Sequence, residues 1–465
     1  MPIKTRFSFS SSLLFLIMTC SLWIHADSPV PASKADGYRG IWFSLGQFSE
    51  YGDKYSGGLG SYTAKHRPLA VYSPEAKKTF FVYGGTTSAE ERHLLIMVSC
   101  YDHESGTVPR PTVVHDKEGV NDPHDNGSIL LDEEGHVWVF VSGRGRKRMG
   151  FKYRSVAPFS IDRFECVEEK EMTYPQPWLV KGQGIFHFLT RYTKGRELYW
   201  ESSGDGRQWS EVHKLAGMGG HYQVSAEGHG RVITAFNYHP GGNVDKRTNL
   251  YYVESDDMGA SWKTAGGEKL VTPLEAVDSP ALVHDYAAED RLVYVKDICF
   301  DEAGHPVILI ITSADYRPGP EGDPRIWTLV RWNGDDWEFM EITRSTHNYD
   351  MGSLYVEENH LWRLIAPTEA GPQPFGTGGE IALWLSRDGG RHWSKERDIT
   401  KNSVYNHAYA RKPLNADPAF YAFWADGNPD SFSPSQFYFT NQEGTELRVL
   451  PDRMDGEEAV PLLLD

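Results

Sequence analysis

The sequence predicts an all-β protein, a single β-propeller of about seven four-stranded blades. Three observations lead there: a turn motif that repeats along the chain, a second hairpin motif interleaved with it, and short β-rich runs bounded by Gly and Asp with no convincing amphipathic helix. Ser255 to Trp262 and Ser386 to Trp393 both fit S-x-D-x-G-x-x-W, the Asp-box; Ser202 to Trp209 is a near miss with its aspartate at Asp205, one place late. Trp332-Asn333-Gly334-Asp335-Asp336-Trp337 is a more degraded copy. In such a turn Asp and Ser hydrogen-bond the amides, Gly accepts positive φ and Trp covers the adjacent apolar layer. The closing tryptophans at 209, 262, 337 and 393 are spaced by 53, 75 and 56 residues, one blade each with a long insertion in one.

The second signal is Asp132-Glu133-Glu134-Gly135-His136 before Val137-Trp138-Val139-Phe140, repeated as Asp301 to His305 before Val307 to Ile310. A third copy has Asn359 in the turn before Leu361-Trp362. Ahead of the predicted blades, Lys4 and Arg6, the apolar run Leu13 to Ile24 and then Ala26 read as a secretory signal of residues 1–26, too short for a bilayer span. Thr19 and Met18 before Cys20 do not suit a lipoprotein signal. A short linker at 27–37 and one propeller domain at 38–465 complete the predicted organisation, for a secreted or periplasmic monomer.

Losing Lys4 and Arg6 takes the net charge from −17 to −19, which speaks against DNA or an anionic membrane as partner. Cys100, Cys166 and Cys299 remain, an odd number without a C-x-x-C pair, and read as buried thiols. His284, Asp285 and Cys299 are better read as core than as metal ligands. No cofactor is expected for the chemistry, and the acidic loops are compatible with a structural calcium or zinc whose ligands are not legible.

Polar-aromatic segments mark the chemistry: Tyr101-Asp102-His103, Asn121 to Asn126, Thr173-Tyr174-Pro175-Gln176, Thr190-Arg191-Tyr192, Gly220-His221-Tyr222-Gln223 and Asn237-Tyr238-His239-Pro240. Together they supply His, His, Tyr and Arg across neighbouring predicted blades. The basic run Arg144-Gly145-Arg146-Lys147-Arg148, with Lys152 and Arg154, is a local exception to the acidic balance, and Lys194, Arg196, Lys246 and Arg247 stand near the other segments.

Asp36-Gly37-Tyr38-Arg39-Gly40-Ile41-Trp42, the stretch from Tyr51 to Gly58 on to Tyr62-Thr63-Ala64-Lys65-His66, and Asp122-Pro123-His124-Asp125-Asn126 resemble the BNR-repeat-containing proteins. That group is similar to the propeller-fold ulvan lyases, which eliminate across uronic acid residues of a sulfated algal polysaccharide. The resemblance implies two histidines, a tyrosine and an arginine as catalytic groups, carried here onto His103 and His124, 21 residues apart, and Tyr174 and Arg191, 17 apart. It implies substrate contacts from later blades, for which Asn126, Arg144, Tyr192, His221, Tyr222, Tyr238 and His239 are the candidates.

Elimination removes the C5 proton of a uronate and expels the C4 oxygen. Arg191 suits the carboxylate, a histidine suits proton transfer near neutral pH, and Tyr174 suits base or acid if nearby cations favour its anion. The base stays open between Tyr174 and a histidine. Two other readings stay open as well. A sialidase-like hydrolase would need an arginine triad of which only Arg39 has a conceivable counterpart, and a non-catalytic carbohydrate-binding propeller would need mainly aromatic platforms.

Overall fold

Runs such as Val137–Val141 and Pro306–Ser313 are short, β-branched or aromatic, and buried along their whole length, as strands covered on both faces should be. The computed structural model describes residues 33–464 apart from 89 and 121, together with the first two. The apolar run of the predicted secretory signal and Cys20 lie outside the described residues. Among the described residues helical structure is confined to short 3-10 turns, and the strands form seven sheets of four or more strands in sequence order. They span 70–116, 127–170, 173–216, 223–284, 292–345, 353–398 and 406–464.

From the first sheet to the sixth, the first strand of each packs on the first strand of the next, and the second strand of the sixth packs on the first of the seventh. The seventh returns to the first: Leu414 bridges Val71, and Phe420, Phe423, Phe437 and Phe439 share one apolar cluster with Phe80 and Phe81. The N-terminal segment reinforces that seam. Gly40–Ser44 pairs with Ser433–Ser435, which lies between the second and third strands of the seventh sheet, and with Ser56–Gly58, forming a separate three-stranded sheet, while the Tyr38 hydroxyl donates to the Pro109 carbonyl at 2.6 Å beside the first sheet.

Each sheet has two functionally different ends, because antiparallel neighbours put the first-to-second and third-to-fourth turns together and the second-to-third turn opposite them. The Asp-boxes occupy the third-to-fourth turns and the Asp/Gly hairpins at 132–136, 301–305 and 357–361 the first-to-second turns. In both full boxes the serine Oγ donates to the aspartate at 2.8 Å and accepts from the glycine amide at 2.9 Å. The near miss is recovered by shifting the serine: Ser203, not Ser202, takes the Gly206 amide at 2.8 Å, so the turn is one residue shorter than the motif. The boxes join sheets. Trp262 of the fourth sheet packs on Phe186, Phe188 and Trp200 of the third, and Trp209 of the third packs on Phe140 of the second.

All three cysteines of the described residues are free, but only Cys100 is fully buried; Cys299 is half-buried and Cys166 exposed. No group of three or more His, Cys, Asp or Glu side chains among the described residues could hold a metal, and no helix there is long and apolar enough to cross a membrane. His284 pairs instead with Glu289 at 2.7 Å, and Asp285 caps a 3-10 turn.

Trp262→Ala removes the ring that packs on Phe186, Phe188 and Trp200 across the third and fourth sheets. It is expected to cost about 3–5 kcal/mol of stability in denaturant unfolding, against within about 0.5 kcal/mol for a substitution of the exposed Val271.

Candidate active site

The ends of the sheets opposite the Asp-boxes converge on one pocket, lined by Tyr55, Tyr62, Lys65, His124, Tyr174, Tyr222, Asn237, Arg247, Tyr294, Lys296, Tyr349 and Tyr409. Every sheet from the second to the seventh contributes, through the entry to its first strand or its second-to-third turn. The segment 55–66, fixed by its pairing with Gly40–Ser44, crosses from the N-terminal side. In three sheets the first strand is bulged at this point, between Thr173 and Gln176, Val295 and Asp297, and Ala408 and Arg411. A bulge turns a side chain off the strand's alternation, and these turn Tyr174, Lys296 and Tyr409 inward; Tyr174 and Tyr409 take the left-handed backbone at φ 54° and 56°.

His124 sits on a 3-10 turn, Pro123–Asp125, capped by Asp122. Its Nδ1 meets the Asp122 carboxylate at 2.5 Å, so Nδ1 donates and Nε2 keeps its lone pair. Burial holds the ring below the usual histidine value despite Asp122, leaving it neutral near pH 7. Its ring stands edge-on to Tyr62 and Tyr174, with centroids 5.5 and 6.0 Å away.

Tyr174 and Tyr222 pack edge to face at 5.7 Å, and the Tyr174 side chain is one of the groups that favour the Tyr222 anion. The two phenols are driven apart. Burial, with the neighbouring Tyr222 second, pushes Tyr174 well above its usual value, although Arg144 Nη1 donates to its hydroxyl at 3.2 Å. Burial acts on Tyr222 in the same direction, but Arg196, Arg247, the Tyr174 hydroxyl and Arg144 outweigh it and bring Tyr222 below an ordinary phenol. The guanidinium carbons of Arg247 and Arg196 lie 4.8 and 5.5 Å from the Tyr222 ring centre. The pair therefore presents one easily ionised phenol and one that holds its proton.

The remaining sequence candidates divide by position. His103 follows the third strand of the first sheet, at the Asp-box end and away from the pocket. It bonds Thr79 Oγ1 at 2.9 Å, pairs with Asp417 at 3.1 Å and packs between Tyr72 and Tyr101. Arg191 lies at the correct end, but its guanidinium holds Glu171 at 2.9 Å, and Arg196 beyond the same turn reaches the tyrosines instead. Asn126 is committed to the backbone, donating to the Leu59 and Tyr62 carbonyls, and so positions Tyr62.

His221 is a structural bridge from the Asn237 carbonyl to the Met218 amide. Tyr238 is half-buried outside the pocket, with its ring 6.5 Å from that of His221. His239 is buried against the Tyr222 ring, centroids 4.9 Å apart, with neither nitrogen hydrogen-bonded. Tyr192 stands at the rim, 5.7 Å from the Arg196 guanidinium.

Of the basic run Arg144 reaches the site, donating to the Tyr174 hydroxyl, while Arg146 is exposed and pairs with Glu171. Arg148 is tied to Asp122 and Asp125, Lys152 to Glu168 and Glu201, and Arg154 to Asp132 and Glu134. Lys65, Lys296 and the tyrosines at 55, 294, 349 and 409 were not singled out by sequence as site residues, and Arg247 was named only as a cation near the site segments. The available signal was a tyrosine at or just before the first strand of five successive sheets, at 174, 222, 294, 349 and 409.

A family model described as "BNR repeat-containing family member" matches residues 78–345. The chain is similar to an ulvan lyase of PL25 from Pseudoalteromonas sp. (strain PLSV), 21% identical over 410 residues that span 76% of this chain and 80% of that one. It is also similar to an ulvan lyase of Alteromonas sp. (strain LOR), 23% identical over 368 residues, 71% of this chain and 74% of the relative. Among solved structures it superposes on a PL25 ulvan lyase bound to -[GlcA(1-4)Rha3S]-, with a TM-score of 0.70 at 16% identity over 88% of this chain and 96% of the other. At that identity the likeness shows a shared fold.

An ultraviolet-monitored pH titration of the folded protein is expected to show a phenol ionising below the usual value of about 10. Tyr222→Phe should abolish that transition, and Arg247→Ala should move it upward.

Proposed function

The chain belongs to the BNR repeat-containing family, and on that footing we propose that it is a secreted polysaccharide lyase cleaving ulvan or a closely related uronic acid polymer by β-elimination. The observation that carries the reading is the packed pair Tyr174 and Tyr222, with opposite ionisation tendencies, lining one pocket with His124 while Arg144 bonds the Tyr174 hydroxyl and Arg196 stands over the Tyr222 ring. The named relatives point the same way. The packing of the seventh sheet back onto the first supports a closed, seven-bladed propeller forming one domain around that pocket.

In the mechanism we infer, Arg144 and Arg196 fork onto the uronate carboxylate and draw charge from C5, with His124 beside them. Neutralising the carboxylate makes the C5 proton acidic enough for the Tyr222 phenolate to remove. As the C4–O bond breaks, the electron pair closes a C4–C5 double bond, and Tyr174 gives its proton to the departing oxygen. Tyr222 then carries the proton and Tyr174 the negative charge, so return of the proton from Tyr222 to Tyr174 restores the starting state. No redox or metal step is needed to balance this sequence. Arg196 and Arg144 here take the role that the sequence assigned to Arg191. Secretion rests on the sequence of residues 1–26, and a monomer remains the expected state.

A hydrolase of the sialidase kind gains no comparable support. Among the described residues no carboxylate lines the pocket to partner a tyrosine nucleophile, and Tyr174 and Tyr222 pack against each other.

Incubation of the mature protein with ulvan should release oligosaccharides with the ultraviolet absorbance of a conjugated uronate. Tyr174→Phe and Tyr222→Phe are each expected to lower kcat by about a hundred- to ten-thousand-fold, while His103→Ala keeps most of the activity. Loss of activity in His103→Ala at unchanged stability would restore the sequence-based assignment. The wild-type kcat/KM should climb with pH through the Tyr222 ionisation, since the base acts as its anion, and stay low below it.

A further inference from the structure

We propose that the floor of the pocket is a second oxyanion site, formed by Lys65, Arg247 and Lys296, that takes the sulfate ester of a sulfated uronate polymer. The polymer's identity rests on the lyase reading above; the affinity for an oxyanion does not.

The three cations are 9%, 5% and 3% exposed and line the same pocket. Arg247 links them: it shares the Tyr222 ring with Lys65, at 4.8 and 5.8 Å, and the Tyr294 ring with Lys296, at 4.9 and 5.2 Å. Among the described residues none of the three forms an ion pair. Lys65 Nζ donates to the Val295 carbonyl at 2.6 Å and Lys296 Nζ to the Asn348 carbonyl at 2.6 Å. Arg247 donates to the Val244 carbonyl at 2.8 Å and the Tyr55 hydroxyl at 2.6 Å. These neutral acceptors leave each cation with further N–H groups unassigned.

One carboxyl lies close, Asp350, which influences Lys296 electrostatically. It accepts from the Tyr409 and Met351 amides, and burial pushes it up to about 7. It can therefore balance no more than one of the three charges. Several other buried or half-buried cations among the described residues have carboxylates: Lys152 has Glu168 and Glu201, and Arg67 and Lys412 share Asp297, whereas Arg411 is held by the Thr63 and His66 carbonyls. Burial without a carboxylate partner carries a large free-energy penalty that a bound anion removes. Desolvation holds both lysines well below an ordinary ammonium value, followed at Lys65 by the push of Lys296 and Arg247 and opposed at Lys296 by Asp350 ahead of the push of Arg247; an oxyanion among them would act against that lowering.

The assignment to sulfate rather than carboxylate follows from the division of the site. Arg144 and Arg196 flank the Tyr174–Tyr222 pair, where the carboxylate must sit for its α-proton to be removed. Arg247 of the floor stands beside Tyr55, Tyr294 and Tyr349 as well as Tyr222, whereas the rings near Arg196 are Tyr192 and Tyr222 and Arg144 bonds Tyr174. A sulfate ester stays charged at any working pH and offers several acceptor oxygens to donors arriving from three directions.

The test compares kcat/KM on ulvan and on the same ulvan after chemical desulfation, for wild type, Lys65→Met and Lys296→Met, with calorimetric titration of inorganic sulfate into each protein. Wild type is expected to prefer the sulfated polymer by on the order of tenfold, what one or two charge-assisted hydrogen bonds supply. Both Met variants should bring that ratio toward unity, mainly through KM, and lose sulfate binding; Lys296→Arg should restore both. Thermal unfolding separates these effects from misfolding, and Met in place of an unpaired buried lysine should not lower the midpoint.

A wild type without preference, or variants that keep it, overturns the proposal. So do variants that lose activity equally on both polymers, which would put the carboxylate on the floor. If neither polymer yields unsaturated product, the lyase reading falls. The sulfate titration then decides the floor by itself: binding lost in both Met variants upholds an oxyanion site, and no binding to wild type rejects it.

Discussion

Burial disfavours a phenolate and disfavours an unpaired ammonium or guanidinium, and around Tyr222 these two penalties oppose each other. A tyrosine alone in that pocket would hold its proton more tightly than in water, as Tyr174 does. With Arg196 and Arg247 beside its ring, Tyr222 moves the other way. The base of the proposed elimination exists only because several cations are held, dehydrated, at the convergence of the sheets. Everything else in the structure serves to hold them there.

That holding is done at the far ends of the sheets. The Asp-box and Asp/Gly turns close the hairpins, and tryptophans such as Trp262 lock one sheet against the next. The opposite ends are thereby left free to carry polar groups with strained backbone. The left-handed residues Tyr174 and Tyr409 and the bulge at Lys296 lie at those ends. Backbone strain of this kind persists only where surrounding packing over-determines it, and here the buried first strands supply that packing. The segment 55–66 adds Tyr55, Tyr62 and Lys65 from outside the regular sheets, anchored through Gly40–Ser44 and the Asn126 side chain.

The turns were legible because their chemistry is local: a serine, an aspartate, a glycine and a tryptophan at fixed spacing make the same hairpin wherever they occur. Only Ser203 misled, by one residue. His124, Tyr174 and Tyr222 were legible as polar groups at strand entries. Spacing alone could not tell which end of a sheet a residue occupies, and so His103, 21 residues from His124, was drawn to the wrong end. Nor could it show that Glu171 takes up the Arg191 guanidinium and leaves Arg196 to the tyrosines. Arg247 was legible only as a cation near the other segments, and Lys65 and Lys296 were hidden for a different reason. A bulge or a crossing loop turns them inward, and an isolated lysine in a β-rich run reads as solvent-facing.

The most direct test of the central claim, that this pocket eliminates rather than hydrolyses, is mass spectrometry of ulvan fragments produced in heavy-oxygen water. Elimination adds no water, so the account predicts fragments one water lighter than hydrolysis products, without label from the solvent and bearing an unsaturated uronate at the new end. Labelled, saturated fragments would contradict it and return Tyr174 and Tyr222 to a hydrolytic or purely binding role.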